Sequence, residues 1–180
     1  MAVYQADNAK WLREAIESMT EQSYTDFLFV IVADGPVPQQ ITRLLEDVAS
    51  KDDRVIIASN SHNVGLASSM NSVADFGMQF NPSFFIRMDA DDISHPKRIE
   101  KQIKFLKKNK SVSIVGTNIN LIDHQGNFVR KIHYPLKFKD LKKKLEVDSY
   151  IAHPSVMMRK EIFKKLKGYR FQFCPAEDYD

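Results

Sequence analysis

"FFIRMDADDIS", residues 84–94, sets three carboxylates, Asp89, Asp91 and Asp92, within four positions directly behind an apolar run. Phe84, Phe85, Ile86 and Met88 have the near-continuous apolar pattern of a strand buried inside a central sheet. The acids then fall where that strand emerges. In open parallel sheets the loops at the carboxyl ends of the strands diverge and leave a crevice for ligands, so the three acids are placed to line one. Packed carboxylates repel one another, and the repulsion must be offset by protons, a basic neighbour or a hard divalent cation such as Mg²⁺ or Mn²⁺. The plainer alternative is a solvated acidic turn whose Asp92 or Ser94 caps a helix beginning near Pro96.

Upstream, strand and helix patterns alternate. "MAVYQ" (1–5) reads as the end of a strand. "NAKWLREAIESMTEQ" (8–22) reads as a helix capped by Asn8, with Trp11, Leu12, Ala15, Ile16 and Met19 on one face. "FLFVIVADG" (27–35) is a buried strand, "QQITRLLEDVAS" (39–50) an amphipathic helix with Ile41, Leu44, Leu45 and Val48 inward, and "RVIIAS" (54–59) the next strand. After the loop "NSHNVG" (60–65), the helix "LASSMNSVADFGMQF" (66–80) leads back to the opening stretch. Such alternation implies right-handed βαβ units. The expected fold is α/β, a Rossmann-like three-layer α/β/α sandwich with a mostly parallel central sheet and a nucleotide-binding half over 1–95.

Beyond Pro96 the rhythm changes. The sequence predicts a helix to about Asn109, a strand at "VSIVGTN" (112–118), a hairpin around "DHQGN" (123–127), a Lys-rich helix, and a final segment "IAHPSVMMR" (151–159). At 180 residues and 43% hydrophobic content the chain has the size of one domain. It has no apolar stretch of membrane-spanning length and no charged region followed by an apolar block at its start, so a cytoplasmic chain is expected. Cys174, alone of its kind, has no partner for a disulfide or a thiolate zinc site.

Charge is divided unevenly. Residues 1–90 carry 6 Lys+Arg and 12 Asp+Glu, whereas residues 91–180 carry 20 and 11. The lysines gather in "KRIEKQIKFLKKNK" (97–110), "KFKDLKKK" (137–144) and "RKEIFKKLK" (159–167), at spacings typical of the solvated faces of amphipathic helices. A second reading is peripheral association with anionic head groups at the inner face of a membrane. Nucleic acid is not expected as a partner, because no stacking aromatics accompany the lysines.

Taken in order, "MAVYQ", "VADG", "NVGLASSMN", "RMDADD", "AHPSV" and "AEDYD" resemble the motif series of the family 2 glycosyltransferases, inverting enzymes of the GT-A fold that use sugar nucleotides. No one motif is specific; the ordered set is, and it covers essentially all 180 residues. The resemblance implies that the backbone around Ala2, Val3 and Tyr4 and the carboxylate of Asp34 hold the nucleoside. Family members commonly show two consecutive acids followed by Gly-Ser here, where this chain has Ala33 and Pro36, which leaves base preference open. Asn63, Gly65 and Asn71 are expected near the donor, where Gly65 lets backbone approach a ligand and the next helix directs its N-terminus at the crevice. Arg87 is placed to pair with the acids or with a phosphate.

By the same resemblance Asp91 is the principal ligand of Mn²⁺ or Mg²⁺, with Asp89 and Asp92 assisting at the ribose, the metal's waters or the sugar. His153 contacts the metal or diphosphate, or bonds within the core. Glu177 and Asp178 fall at the family's acidic pair, with Asp178 as general base and Glu177 positioning the acceptor. The function implied is transfer of a hexose or N-acetylhexosamine from a UDP-sugar to a glycan or lipid-linked acceptor of surface polysaccharide. Residues 96–180 then form the acceptor-side half, expected to lack a further C-terminal segment. Two other enzyme classes fit less well. Haloacid-dehalogenase-like phosphatases carry their nucleophilic Asp on the first strand, and nucleotidyltransferases need a Gly-rich loop after it, whereas "YQADNAKW" contains no glycine. A sugar-nucleotide-binding domain without turnover is the non-enzymatic alternative.

Overall fold

In the computed structural model, residues 1–147 and 149–170 are described. Glu177, Asp178 and Cys174 therefore lie outside the described residues.

The first half forms as its periodicity predicts. Strand β1 (Ala2–Val3) and helix α1 (Ala9–Thr20) are followed by β2 (Phe29–Ala33), α2 (Gln39–Lys51), β3 (Val55–Ser59) and α3 (Leu66–Met78). The three strands pair in parallel in the order β1-β2-β3, with Val3 opposite Ala33 and Phe29 opposite Val55. All five residues of β2 are buried, which is why that stretch carries no alternation. Asn8 caps α1, its Oδ1 accepting from the N–H groups of Lys10 and Trp11. Leu12, Ala15, Ile16 and Met19 are buried as expected. Trp11 is not: it remains 37% exposed, because its position lies at the edge of the apolar stripe and its ring is too large to be covered from one side.

The second half departs from a parallel sheet. β4 (Phe84–Ile86), α4 (Arg98–Lys108) and β5 (Ile114–Val115) are followed by a hairpin of β6 (Ile119–Ile122) and β7 (Phe128–Ile132), then α5 (Phe138–Leu145), β8 (Met157–Arg159) and α6 (Lys160–Leu166). β8 inserts antiparallel between β4 and β5, pairing Phe85 with Met158 and Val115 with Met157. Within the stretch 151–159 a 3₁₀ turn at His153–Ser155, with Pro154 inside it, precedes β8. Arg159, at the end of β8, donates to the Leu106 and Asn109 carbonyls at the end of α4, where orphan acceptors need partners.

One core serves both halves. Leu12, Ile16, Ile31, Ile41, Met88, Ile99, Leu106 and Met157 are its most buried large side chains. Each fully buried side chain of this kind contributes about 1.5–3 kcal/mol. α4 turns Ile99, Ile103 and Leu106 inward and its lysines outward, as predicted, whereas α5 buries no residue at all. Among the described residues no helix is long and apolar enough to cross a membrane.

Candidate functional site

The acidic turn follows β4, and three polar side chains from the core anchor it. Arg87, itself buried, donates from one guanidinium nitrogen to the Met88 carbonyl at 2.7 Å and meets Asp89 Oδ1 with another at 2.5 Å. Arg98, from the first turn of α4, reaches back to the Arg87 carbonyl at 2.6 Å and across to the Pro154 carbonyl at 3.1 Å. It ties the acidic turn to the turn that carries His153. Gln22 donates to the Ser94 hydroxyl and the His95 carbonyl while accepting from the Ile99 N–H, so the exit from the turn is fixed to the end of α1.

These contacts remove the capping alternative. α4 begins at Arg98 after Lys97 and has no side-chain cap, and the Ser94 N–H and hydroxyl are bound instead to Ser18 and Gln22. Burial first, and then the charges of Asp89 and Asp91, push the pKa of Asp92 up to about 6 against the pull of Arg98 and Arg87. Burial lowers Arg98 to about 10, opposed by Asp92 and Asp89. A fourth acid joins them from the loop after β1. Burial raises the Asp7 pKa, opposed by the Tyr4 N–H and reinforced by Asp91 and Asp89. Two buried arginines and four acids leave net negative charge in one place.

Among the described residues no three His, Cys, Asp or Glu side chains converge tightly enough to hold a metal ion by themselves. The chemistry of the donor set suits a hard divalent cation all the same: every acid offers carboxylate oxygen, and such ions keep several positions for phosphate oxygens and water. Asp91, Asp89 and Asp92 would be its protein ligands.

Asp34 stands at the end of β2 in a different setting. It is buried, and its Oδ1 accepts from the Asn60 amide and the Val64 N–H while its Oδ2 accepts from the Gly65 N–H, all at 2.9 Å. Burial works to raise its pKa, but the Val64 N–H, Asn60, Ser69 and the Gly65 N–H outweigh it and hold the carboxyl below the ordinary carboxylate value. The carboxylate is a latch on the 60–65 loop. Gly35, at φ +86°, completes the corner: a Cβ there would lie 2.6 Å from the Asn63 nitrogen. Asn63 is exposed, with its amide 3.4 Å from the Asp34 carbonyl. Gly65 opens α3 at φ +88° with open space where a side chain would be.

The remaining predicted residues are placed as follows. Ala2 and Val3 form β1, and the Val3 carbonyl accepts from the Asp34 N–H at 2.7 Å. The Tyr4 N–H donates to Asp7 Oδ2 and its carbonyl accepts from the Asp7 N–H, while its phenol ring is exposed. Asn71 lies on α3 with its amide engaged by the Tyr169 backbone in both directions. His153 Nε2 lies 2.9 Å from the Tyr169 hydroxyl. Asp7, Gln22, Asn60 and Arg98 are absent from the sequence-based set. A signal existed for Arg98 and Gln102, since both fall on the inward stripe of α4, where a polar residue needs a buried partner.

A family model described as "Glycosyl transferase family 2" matches residues 1–167. The O-antigen biosynthesis glycosyltransferase WbnJ of Escherichia coli is 34% identical over 180 residues, covering 100% of this chain and 67% of that protein. Among solved structures, the mannosyltransferase PcManGT from Pyrobaculum calidifontis in complex with GDP-Man and Mn²⁺ superposes with a TM-score of 0.68. It is 14% identical, covering 99% of this chain and 48% of that one. S. aureus TarS 1–349 in complex with UDP superposes with a TM-score of 0.66 at 15% identity, covering 99% and 52%. The fold is the expected GT-A one. The chain spans 61% and 67% of the length of two curated relatives that it matches.

Proposed function

The chain belongs to glycosyl transferase family 2, and on that premise we propose that it moves a hexose or N-acetylhexosamine, with inversion, from a UDP-sugar to a hydroxyl of a glycan or lipid-linked acceptor in cell-surface polysaccharide biosynthesis. The observation that carries this reading is the only partly compensated acidic cluster behind β4, with Asp92 pushed up to about 6 by burial and by Asp89 and Asp91. A site that gathers negative charge in this way favours a divalent cation bearing the diphosphate of a donor. The UDP-bound and the GDP-Man and Mn²⁺-bound structural neighbours support a nucleotide and a metal of this kind. WbnJ supports a surface-glycan product.

In the proposed reaction the acceptor oxygen attacks the anomeric carbon from the face opposite the leaving group. Its proton passes to the Asp178 carboxylate, and the carbon–oxygen bond to the nucleoside diphosphate breaks with the electron pair leaving on the diphosphate. Asp91, Asp89 and Asp92 would hold a divalent cation, which would supply neutralisation of that leaving charge. Tyr4 presents its ring to the nucleoside, Gly65 and the start of α3 admit the diphosphate, and Arg87 holds Asp89 in place. Glu177 positions the acceptor. A membrane-proximal acceptor at the cytoplasmic face is supported by Lys137, Lys139, Lys142, Lys143 and Lys144, which stand beside the exposed Leu136 and Phe138.

Calorimetric titration of UDP, GDP, dTDP and CMP, each with and without Mn²⁺, tests the donor. UDP binding that requires Mn²⁺ is the expected result; tighter binding of another nucleotide moves the donor to that base, and metal-independent binding removes the role given to the acids. In the full chain Asp178→Asn is expected to spare nucleotide affinity and lower kcat by roughly 10²–10⁴-fold. Full transfer activity in that variant would falsify the base assignment.

A further inference from the structure

Three helices carry the lysine clusters of the second half, and two of them are anchored in ways that account for their charge. α4 buries Arg98, Ile99, Gln102, Ile103 and Leu106 and turns its lysines to water, and α6 buries Phe163. α5 has eight residues and buries none of them. Isolated helices shorter than about 12–15 residues are marginal in water, and a packed apolar face normally supplies the difference. Leu141 and Leu145 of α5 are only half-buried.

The three most exposed large apolar side chains among the described residues gather at this helix. They are Leu136 at 94%, Val147 at 84% and Phe138 at 77%, each within α5 or two residues from one of its ends. At about 100° of turn per residue, Phe138 falls between Leu141 and Leu145 on one side and Lys142 and Lys139 on the other. It therefore stands on the border between an apolar and a basic face. Residues 136–147 carry five lysines, Lys137, Lys139, Lys142, Lys143 and Lys144, against two acids, Asp140 and Glu146. Lys144 lies 4.5 Å over the Tyr150 ring, whereas no ion pair among the described residues engages the other four.

Exposed apolar side chains set among uncompensated lysines match a surface that is negatively charged at its rim and apolar beneath, which is the headgroup region of an anionic bilayer. The place of α5 in the chain suits such a surface. Leu145 is eight residues before His153, so the chain between them spans at most about 30 Å. Arg98 in turn joins the His153 turn to the acidic turn through the Pro154 and Arg87 carbonyls. A bilayer at α5 thus lies within one short segment of the candidate site.

We propose that α5 and the residue pair Leu136 and Phe138 form a docking surface for an anionic lipid bilayer. Leu136 and Phe138 enter the boundary between headgroups and acyl chains, while Lys137, Lys139 and Lys142 stand over acidic headgroups. The proposal deepens the reading of a lipid-linked acceptor, on which it rests, by naming the surface that brings the enzyme to that acceptor. Vesicle binding is read without donor, acceptor or turnover, so its failure leaves the nucleotide titration standing, and the reverse also holds.

The test floats the full chain with vesicles of phosphatidylcholine and phosphatidylglycerol in equal parts, and with vesicles of phosphatidylcholine alone. Binding to the anionic vesicles that weakens as salt is raised is the expected result. Lys139→Glu with Lys142→Glu is expected to weaken it at least roughly 25-fold, since each lysine at such a surface is worth roughly fivefold. Leu136→Ser with Phe138→Ser is expected to weaken it roughly tenfold or more. Lys104→Glu with Lys107→Glu, on the exposed face of α4, makes the same change in net charge and is expected to cost less than about threefold. All the substituted side chains but those on α4 lie on or beside a helix that buries nothing, so melting curves without vesicles are expected to match the parent's. Absence of binding by the parent chain overturns the proposal, as does equal binding to phosphatidylcholine alone. Equal losses in the α4 and α5 charge variants overturn it too, because net charge and not this surface then drives binding. A dimer in sedimentation that Leu136→Ser with Phe138→Ser dissociates, in a chain that does not bind vesicles, assigns the surface to a second copy instead.

Discussion

Asp34 and Asp92 both stand beyond the carboxyl end of a core strand, and their pKa values move in opposite directions. Asp34 keeps its charge more easily, because Asn60, Ser69 and the N–H groups of Val64 and Gly65 all point at it. Asp92 is half-buried among other carboxylates, and the arginines that could compensate it are committed to carbonyls and to Asp89. Neutral donors in fixed positions make a carboxylate structural. Like charges gathered around it raise its pKa, and that difference separates the latch on the 60–65 loop from the proposed cation site.

The largest break in this contrast is expected from Asp91→Ala. If the β4 acids exist to hold a cation, Mn²⁺-dependent nucleotide affinity drops by at least about 10²-fold while thermal stability without metal is unchanged. Asp34→Ala is expected to show the converse. It strands the Val64 and Gly65 N–H groups and the Asn60 amide, at about 1–3 kcal/mol for a buried group left without a partner, and a thermal or urea melt reads the loss directly. Equal melting curves for Asp34→Ala and Asp91→Ala would erase the distinction. A smaller effect of opposite sign is expected at the turn: without metal, Asp92→Asn relieves repulsion and leaves stability unchanged or raised by up to about 1 kcal/mol.

The smallest effect is in pH. The Asp34 pKa is depressed on folding, so its contribution is fully present above the ordinary carboxylate range and is lost as pH falls through that range toward its own lower value. An Asp34→Asn variant is therefore expected to show a shallower loss of stability on acidification than the parent chain. Acid melts that stay parallel for the two proteins would show that the latch carries no charge-dependent energy.

Much of the first half was legible because its signals are local. Apolar runs in β2, the 3.6-residue stripe of α2 and the Asn8 cap each depend on near neighbours, and each formed where the pattern placed it. Trp11 stays partly exposed because stripe membership says nothing about how wide the covering surface is. The second half was harder to read. Only the gap between β4 and β5 decides that the last three residues of "IAHPSVMMR" run antiparallel there, after the turn that contains Pro154.

Within the site, sequence order alone located the acids after the fourth strand, Gly65 at the start of α3 and Arg87 beside Asp89, because strand–turn–helix patterning fixes which residues occupy strand ends. Partnership was decided by the tertiary structure. That Asp34 is spent on the 60–65 loop, that Arg98 joins the acidic turn to the His153 turn, that Asp7 shares the field of Asp89 and Asp91, and that Asn71 grips Tyr169 are contacts between residues 11 to 98 positions apart in sequence. A hydrogen bond needs its two atoms within about 3 Å and in line, and one sequence encodes residue type and spacing but not that meeting.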